Sequence, residues 1–179
     1  MEKEIVLDYA RFTVEGNHYD IGQSIGRNLN QYKEWYNYTI MPECLDEKTI
    51  KQKKKLMDEF CPGIFEEISG LADSLNVPVG KIRILSDDCI NVGACSQFAV
   101  MPNITENGQI LLGRSYEYSA DDELCLSVIR ANGKPAHIGF SILIFGRFDG
   151  INEHGLTVSM SSCELNKNRQ KMVFGFCWF

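Results

Sequence analysis

The chain changes texture once, near residue 90, and that change restricts its fold more than any other feature. Upstream, apolar residues recur at helical spacing. Ile64, Ile68, Leu71 and Leu75 fall on one face of a helix that must be covered. Downstream come short apolar runs separated by turn signals, among them Asn107-Gly108, Asn132-Gly133 and Asn152-Glu-His-Gly155. Asn-Gly between apolar runs is a strong local hairpin signal, because both residues tolerate positive φ. Helices first and sheet second give an α+β fold.

The first half opens with a short strand in which Ile5, Leu7, Tyr9, then Phe12 and Val14 keep a period near two until Glu15-Gly16-Asn17 stops it. Helical spacing then runs from Asp20 to Tyr38. A second helix is predicted over Asp46 to Phe60, with Asp46 as its N-cap. A third follows from Gly63 to Leu75, with Pro62 in its first turn and Asn76 as its stop, and a short last helix begins near Pro78. In the second half, strands are expected at Gln97–Met101, Gln109–Leu112, Leu124–Arg130, His137–Phe145, Phe148–Ile151 and Leu156–Ser161, meandering as one antiparallel sheet.

Charge narrows the function classes. The formal net charge is −6, without the basic balance that marks nucleic-acid binding. The one basic run, Lys51 to Lys55, precedes Asp58 and Glu59 and reads as a solvated helix face. No stretch approaches the roughly 20 apolar residues needed to cross a bilayer. Met1 to Glu4 are charged and no secretory signal follows, so a cytoplasmic protein without nucleic-acid or membrane partners is expected. The seven cysteines are odd in number, none forms a Cys-x-x-Cys pair, and the three histidines lie apart from them. That pattern predicts no metal site and no other cofactor, with most thiols acting as small buried hydrophobes.

The junction of the halves carries the chemistry. It reads Asn91-Val-Gly93-Ala94-Cys95-Ser96-Gln97-Phe98-Ala99-Val100, followed by Gly108-Gln-Ile-Leu-Leu-Gly113-Arg114-Ser115-Tyr116-Glu117-Tyr118. A hairpin of these two runs brings Cys95 close to Arg114 and Glu117. Arg114 and Glu117 are three apart, so a period of two separates their faces unless the strand ends or bulges at Ser115. A thiol becomes a strong nucleophile only as a thiolate, and a guanidinium, which keeps its proton, favours that form. On the residues alone, an ordinary hairpin with a buried Cys and a surface Arg–Glu pair stands beside this reading.

Five stretches decide between them: Gly16-Asn-His-Tyr-Asp-Ile-Gly-Gln-Ser-Ile-Gly26, Glu66-Glu-Ile-Ser-Gly-Leu-Ala72, Gly93-Ala-Cys-Ser-Gln-Phe-Ala99, Leu112-Gly-Arg-Ser-Tyr-Glu-Tyr118 and Gly150-Ile-Asn-Glu-His-Gly-Leu156. In this order the chain resembles the acyl-coenzyme A:6-aminopenicillanic acid acyltransferase family, relatives of penicillin V acylase and the choloylglycine hydrolases. The resemblance implies an N-terminal-nucleophile hydrolase made as a proenzyme. A helical leader, residues 1–94, is released by autoproteolysis between Ala94 and Cys95, and residues 95–179 form part of an αββα sandwich. Cys95 then carries its own general base, the freed α-amine. Arg114 matches the arginine that orders the nucleophile, and Glu117 stands where the family usually has an aspartate near the new amino terminus. The implied activity is amide C–N hydrolysis or acyl transfer on a small-molecule amide or acyl thioester. Ser161 and Ser162 fall where related hydrolases place an oxyanion-stabilising or substrate-contacting residue. Tyr116 and Tyr118 are candidates to line an acyl pocket.

Three features depart from the family pattern. Ala94 replaces the commoner glycine, and Glu117 is one methylene longer than aspartate. Family members also continue well beyond the equivalent of Phe179, supplying an oxyanion-stabilising asparagine and a second sheet. The apolar ending Val173-Phe-Gly-Phe-Cys-Trp-Phe179 is expected to lie inside a larger fold or against a partner, as in a truncated or split gene product or a homo-oligomer. The rival function is an incomplete or non-catalytic relative that only binds a small acyl compound or needs a partner chain. For the remaining residues the expectations are structural: Asn152 to Gly155 as a hairpin turn, His18 at a helix N-terminus or the surface, and Cys125 and Cys163 in the core.

Overall fold

Two of the α-helices begin at a short polar side chain that caps them. A computed structural model describes residues 9–86, 94–117, 124–141, 147 and 149–159, with backbone alone for residues 9, 34, 94, 95, 116, 117 and 124. Helix α1, His18–Leu29, starts after Asn17, whose side-chain oxygen accepts from the Asp20 N–H at 2.9 Å. Helix α2 spans Lys33–Thr39. The single helix expected from Asp20 to Tyr38 is therefore two. The Gln31 and Tyr32 N–H groups turn back to the carbonyls of Asn28 and Leu29, tightening the last turn of α1 until it stops. Helix α3, Glu47–Phe60, has Asp46 as its N-cap, accepting from Thr49 N at 2.8 Å.

Helix α4 is Ile64–Ser74. Pro62 lies outside it, in the turn before the Gly63 cap, rather than in its first turn. Beyond α4 the backbone of Asn76 adopts a φ of 56°, the left-handed conformation that ends helices. The short last helix expected near Pro78 is a pair of single 3₁₀ turns, Val79–Lys81 and Arg83–Leu85.

Strand β1, Tyr9–Gly16, precedes the helices. After them come β2 (Ala94–Val100), β3 (Leu111–Glu117), β4 (Leu124–Ala131), β5 (His137–Ser141), β6 (Asp149–Asn152) and β7 (Thr157–Ser159). The architecture is α+β, but the strands do not form one meander. Strands β4 to β7 do so, in antiparallel order, while β1 joins their edge in parallel, Tyr9 facing Leu124 and Gly16 facing Ala131. Strands β2 and β3 make a separate two-stranded ladder. The expectation of one antiparallel sheet over the second half fails at β2 and β3, which pair with each other apart from β4 to β7; the parallel β1–β4 pairing was not anticipated, because it joins residues remote in sequence.

The core lies between α1, α4 and the inner face of the five-stranded sheet. Ile21, Ile25 and Leu29 of α1, Ile68 and Leu71 of α4, and Cys125 and Ile129 of β4 are all fully buried. Helices α1 and α4 approach backbone to backbone. A Cβ on Gly22 would strike the Glu67 carbonyl, and one on Gly70 would strike the Tyr19 carbonyl. The first two motif stretches singled out in the sequence are thus the two sides of one helix crossing. The basic run of α3 is less uniform than a solvated face: Lys54 pairs with Asp58 at 2.7 Å, but Lys53 is buried, its stem covered by the packed side of the helix.

Candidate active site

The ladder β2–β3 fixes which of the junction residues are neighbours. Cys95 stands opposite Tyr116, Ala94 opposite Glu117 and Gln97 opposite Arg114. The hairpin therefore sets the backbone of position 95 beside positions 116 and 117, and places Arg114 two cross-strand pairs further along. Arg114 and Glu117, three apart on a regular strand, fall in different cross-strand registers, and no bulge at Ser115 interrupts the ladder. For Cys95, Tyr116 and Glu117 the side chains lie outside the described residues, as do Ser162, Tyr118 and Cys163 entirely.

Arg114 is the best-defined side chain of the group. It is 6% exposed, and it reaches from the hairpin onto the last strands of the main sheet. Its Nη1 donates to Gln97 Oε1 at 3.1 Å and to the Ser159 hydroxyl, and its Nε lies 3.8 Å from Asp149 Oδ2. Asp149 is itself held, since its Oδ1 accepts from the Phe140 N–H at 3.0 Å. A guanidinium gripped from β2, β6 and β7 is a fixed positive charge, and burial makes such a charge act more strongly on its surroundings than it does in water. Arg114 was singled out from the sequence. The contacts it makes with Gln97, Asp149 and Ser159 were not, because nothing local connects them.

A second polar group, also not anticipated, occupies the inner face of the main sheet. The alternation of β4 and β5 turns Cys125, Ser127, His137 and Ser141 toward the helices, and all four are buried. Arg147, its Nε and Nη2 withdrawn from solvent, lies across this face with its Cδ 3.1 Å from the place a Cβ on Gly139 would take. Above them Glu67 of α4 is fully buried, and its Oε1 meets His18 Nδ1 at 2.6 Å. Glu67 Oε2 has no hydrogen-bond partner among the described residues.

The environment sorts the titratable groups. Burial pushes the Glu67 carboxyl up, while the His18 bond and the charges of His18 and Arg147 pull it back. The same hydrogen bond raises the His18 imidazole above its ordinary value against the opposing effect of burial. Burial lowers His137, assisted by Arg147. Burial also pushes the Cys125 thiol up to about 11, so Cys125 is an inert core thiol. His18 does stand at the start of α1, as expected, but it reaches inward to a buried acid rather than serving the surface. One sequence signal for Glu67 existed. It falls three after Ile64 and four before Leu71, on the apolar stripe of its helix, where an unpaired carboxylate would be costly.

Asn152 makes the expected turn. Its side-chain oxygen accepts from the N–H groups of His154 and Leu156, each at 3.0 Å, closing the β6–β7 connection. No helix among the described residues is long and apolar enough to cross a membrane.

Comparison with known proteins adds one finding. Residues 104–177 match the family model described as acyl-coenzyme A:6-aminopenicillanic acid acyl-transferase. The matched stretch takes in Arg114, Tyr116, Glu117 and Ser162 and begins downstream of Cys95. Two of the five stretches read from the sequence, Leu112 to Tyr118 and Gly150 to Leu156, lie inside the match, which is a likeness of that part of the chain to an acyltransferase family. No curated protein matches the chain.

Proposed function

We propose, from the likeness of residues 104–177 to an acyltransferase family, that this protein cleaves or transfers acyl groups through Cys95 as an N-terminal nucleophile. The observation that carries the reading is the placement of Arg114: its side chain 6% exposed, held by Gln97, Ser159 and Asp149, and two cross-strand pairs from Cys95.

Maturation is an acyl shift followed by hydrolysis. The Cys95 sulfur attacks the Ala94 carbonyl, the Ala94–Cys95 amide breaks in favour of a thioester, and the amide nitrogen takes up a proton to become an amine. Water then cleaves the thioester, leaving a carboxylate on Ala94 and a free thiol and α-amine on Cys95. That amine has an ordinary pKa of roughly 7.7–8.0, so at neutral pH it can accept the thiol proton. The thiolate attacks a substrate amide or thioester carbonyl, and the leaving nitrogen or sulfur collects the proton. Water or an amine acceptor finally releases the acyl group. Arg114 favours the thiolate, and Glu117, opposite position 94, steadies the new ammonium group. Tyr116 and Ser162 contribute to the acyl pocket and oxyanion contact, and the remainder of an αββα sandwich encloses the site. We place the reaction in the cytosol, on a small-molecule amide or acyl thioester.

Intact-mass measurement under denaturing conditions tests this reading. Denaturation is needed because β1, upstream of the cut, is hydrogen-bonded to β4, downstream of it. The expected result is two species, residues 1–94 and 95–179, and a single uncut chain for Cys95→Ala. A wild-type protein that stays in one piece through prolonged incubation refutes the maturation step.

A further inference from the structure

The sequence holds the dipeptide Asn-Gly twice, at Asn107-Gly108 between β2 and β3 and at Asn132-Gly133 between β4 and β5. Both serve as turns, but the dipeptide also has a chemistry of its own. The backbone nitrogen after an asparagine can attack the side-chain amide carbon, and glycine, with no side chain, shields that nitrogen least. We propose that Asn132 is a site of spontaneous deamidation and isoaspartate formation in the folded protein, and that Asn107 is protected from the same reaction.

The two pairs differ in one respect that matters. All four residues are exposed. Gly108 and Gly133 both have positive φ, 67° and 75°, and beyond the chain neighbours no atom lies within 4 Å of the place a Cβ on either would take. Crowding therefore does not distinguish them. Hydrogen bonding does. The Gly108 N–H, the attacking group, donates to the Thr105 carbonyl at 3.2 Å. Asn107 Oδ1 accepts from the Gln109 N–H at 3.2 Å, and Asn107 Nδ2, the leaving group, donates to Gln109 Oε1 at 3.5 Å. Ring closure there must break the first bond and turn the side chain out of the others. The second pair is held by bonds that bypass the reacting atoms. The Lys134 N–H closes the turn on the Ala131 carbonyl at 3.1 Å, and the Asn132 N–H ties it to β1 through the Gly16 carbonyl at 2.8 Å. Among the described residues neither the Gly133 N–H nor the Asn132 side chain has a hydrogen-bond partner.

The reaction needs only water. The Gly133 nitrogen bonds to Asn132 Cγ and gives up its proton, the bond from Cγ to Nδ2 breaks, and the nitrogen departs with that proton as ammonia. Water then opens the resulting succinimide at one of its two carbonyls. Opening at Cγ gives aspartate. Opening at the main-chain carbonyl gives isoaspartate, whose backbone runs through Cβ and Cγ. Either product places a new carboxylate in the turn that carries Lys134, and isoaspartate also lengthens that turn by one backbone atom beside the end of β1.

The test follows both asparagines in one sample. The full chain is held at neutral pH and digested at intervals, and the peptides containing positions 107 and 132 are resolved into asparagine, aspartate and isoaspartate forms by chromatography and mass. In the folded protein Asn132 is expected to convert at least about tenfold faster than Asn107, the factor that about 1.4 kcal/mol, the scale of one hydrogen bond, makes in a rate. In the same chain unfolded in guanidinium chloride the two rates should draw together, since the dipeptides are identical. Equal rates in the folded chain, faster loss at Asn107, an Asn132 that keeps its amide while the unfolded chain loses it, or a gap of the same size after unfolding overturns the proposal.

Discussion

The α1–α4 helix pair and the β2–β3 hairpin are each a union of two neighbouring elements, yet they are held by different means. The helices meet over Gly22 and Gly70, with Ile21, Ile25, Ile68 and Leu71 wholly enclosed. The hairpin has its backbone ladder and the grip of Arg114 on Asp149 and Ser159, while Phe98, Met101, Ile104, Ile110, Leu111 and Leu112 remain between 45% and 72% exposed. One is a packing solution in which every methyl group counts. The other is a polar attachment carrying an apolar surface. A scaffold of the first kind tolerates little change, and a site of the second kind can be re-aimed by altering a few charges.

If that contrast is right, Leu71→Ala should produce the largest loss, about 3 kcal/mol in urea unfolding, because it opens a cavity among rigid neighbours. A loss below about 1 kcal/mol would mean the helix pair is looser than its burial implies. Gly70→Ala comes next, at roughly 2 kcal/mol, as the added methyl forces α1 and α4 apart at Tyr19. Smaller again is the pH effect. His18 is raised above its ordinary 6.5 in the folded chain, so the stability it contributes is complete below about pH 6.5 and is lost as pH climbs through the folded value. Unfolding midpoints from pH 6 to 9 should fall in wild type and flatten in His18→Gln. The least effect belongs to the hairpin: Ile104→Ser, at a residue 72% exposed, should shift stability by less than about 0.5 kcal/mol. A loss comparable to that of Leu71→Ala would erase the distinction between the two regions.

The sequence revealed whatever is specified locally. Asp46 capping α3, Asn76 ending the run after α4 and Asn152 closing a turn all act through bonds to residues two to four away. The break between α1 and α2 was missed because aromatic residues keep a helical rhythm across a turn that backbone hydrogen bonds decide. Lys53 and Glu67 were missed for a related reason, since burial of a charged residue depends on what packs over it. In the candidate site the strands and Arg114 could be read directly. Gln97, Asp149 and Ser159 converge on Arg114 only after three separate strands have taken their places.

The parallel union of β1 with β4 has a consequence for how the protein is made. Tyr9 is synthesised 115 residues (124 − 9) before its partner Leu124. At a translation rate of about 5–20 residues per second, the opening strand waits several seconds with its edge unsatisfied. The helix pair, whose two sides both precede β4 in the chain, can assemble during that interval and hold the strand nearby. The order of synthesis thus favours a molecule in which a strand made before the helices is locked in after them.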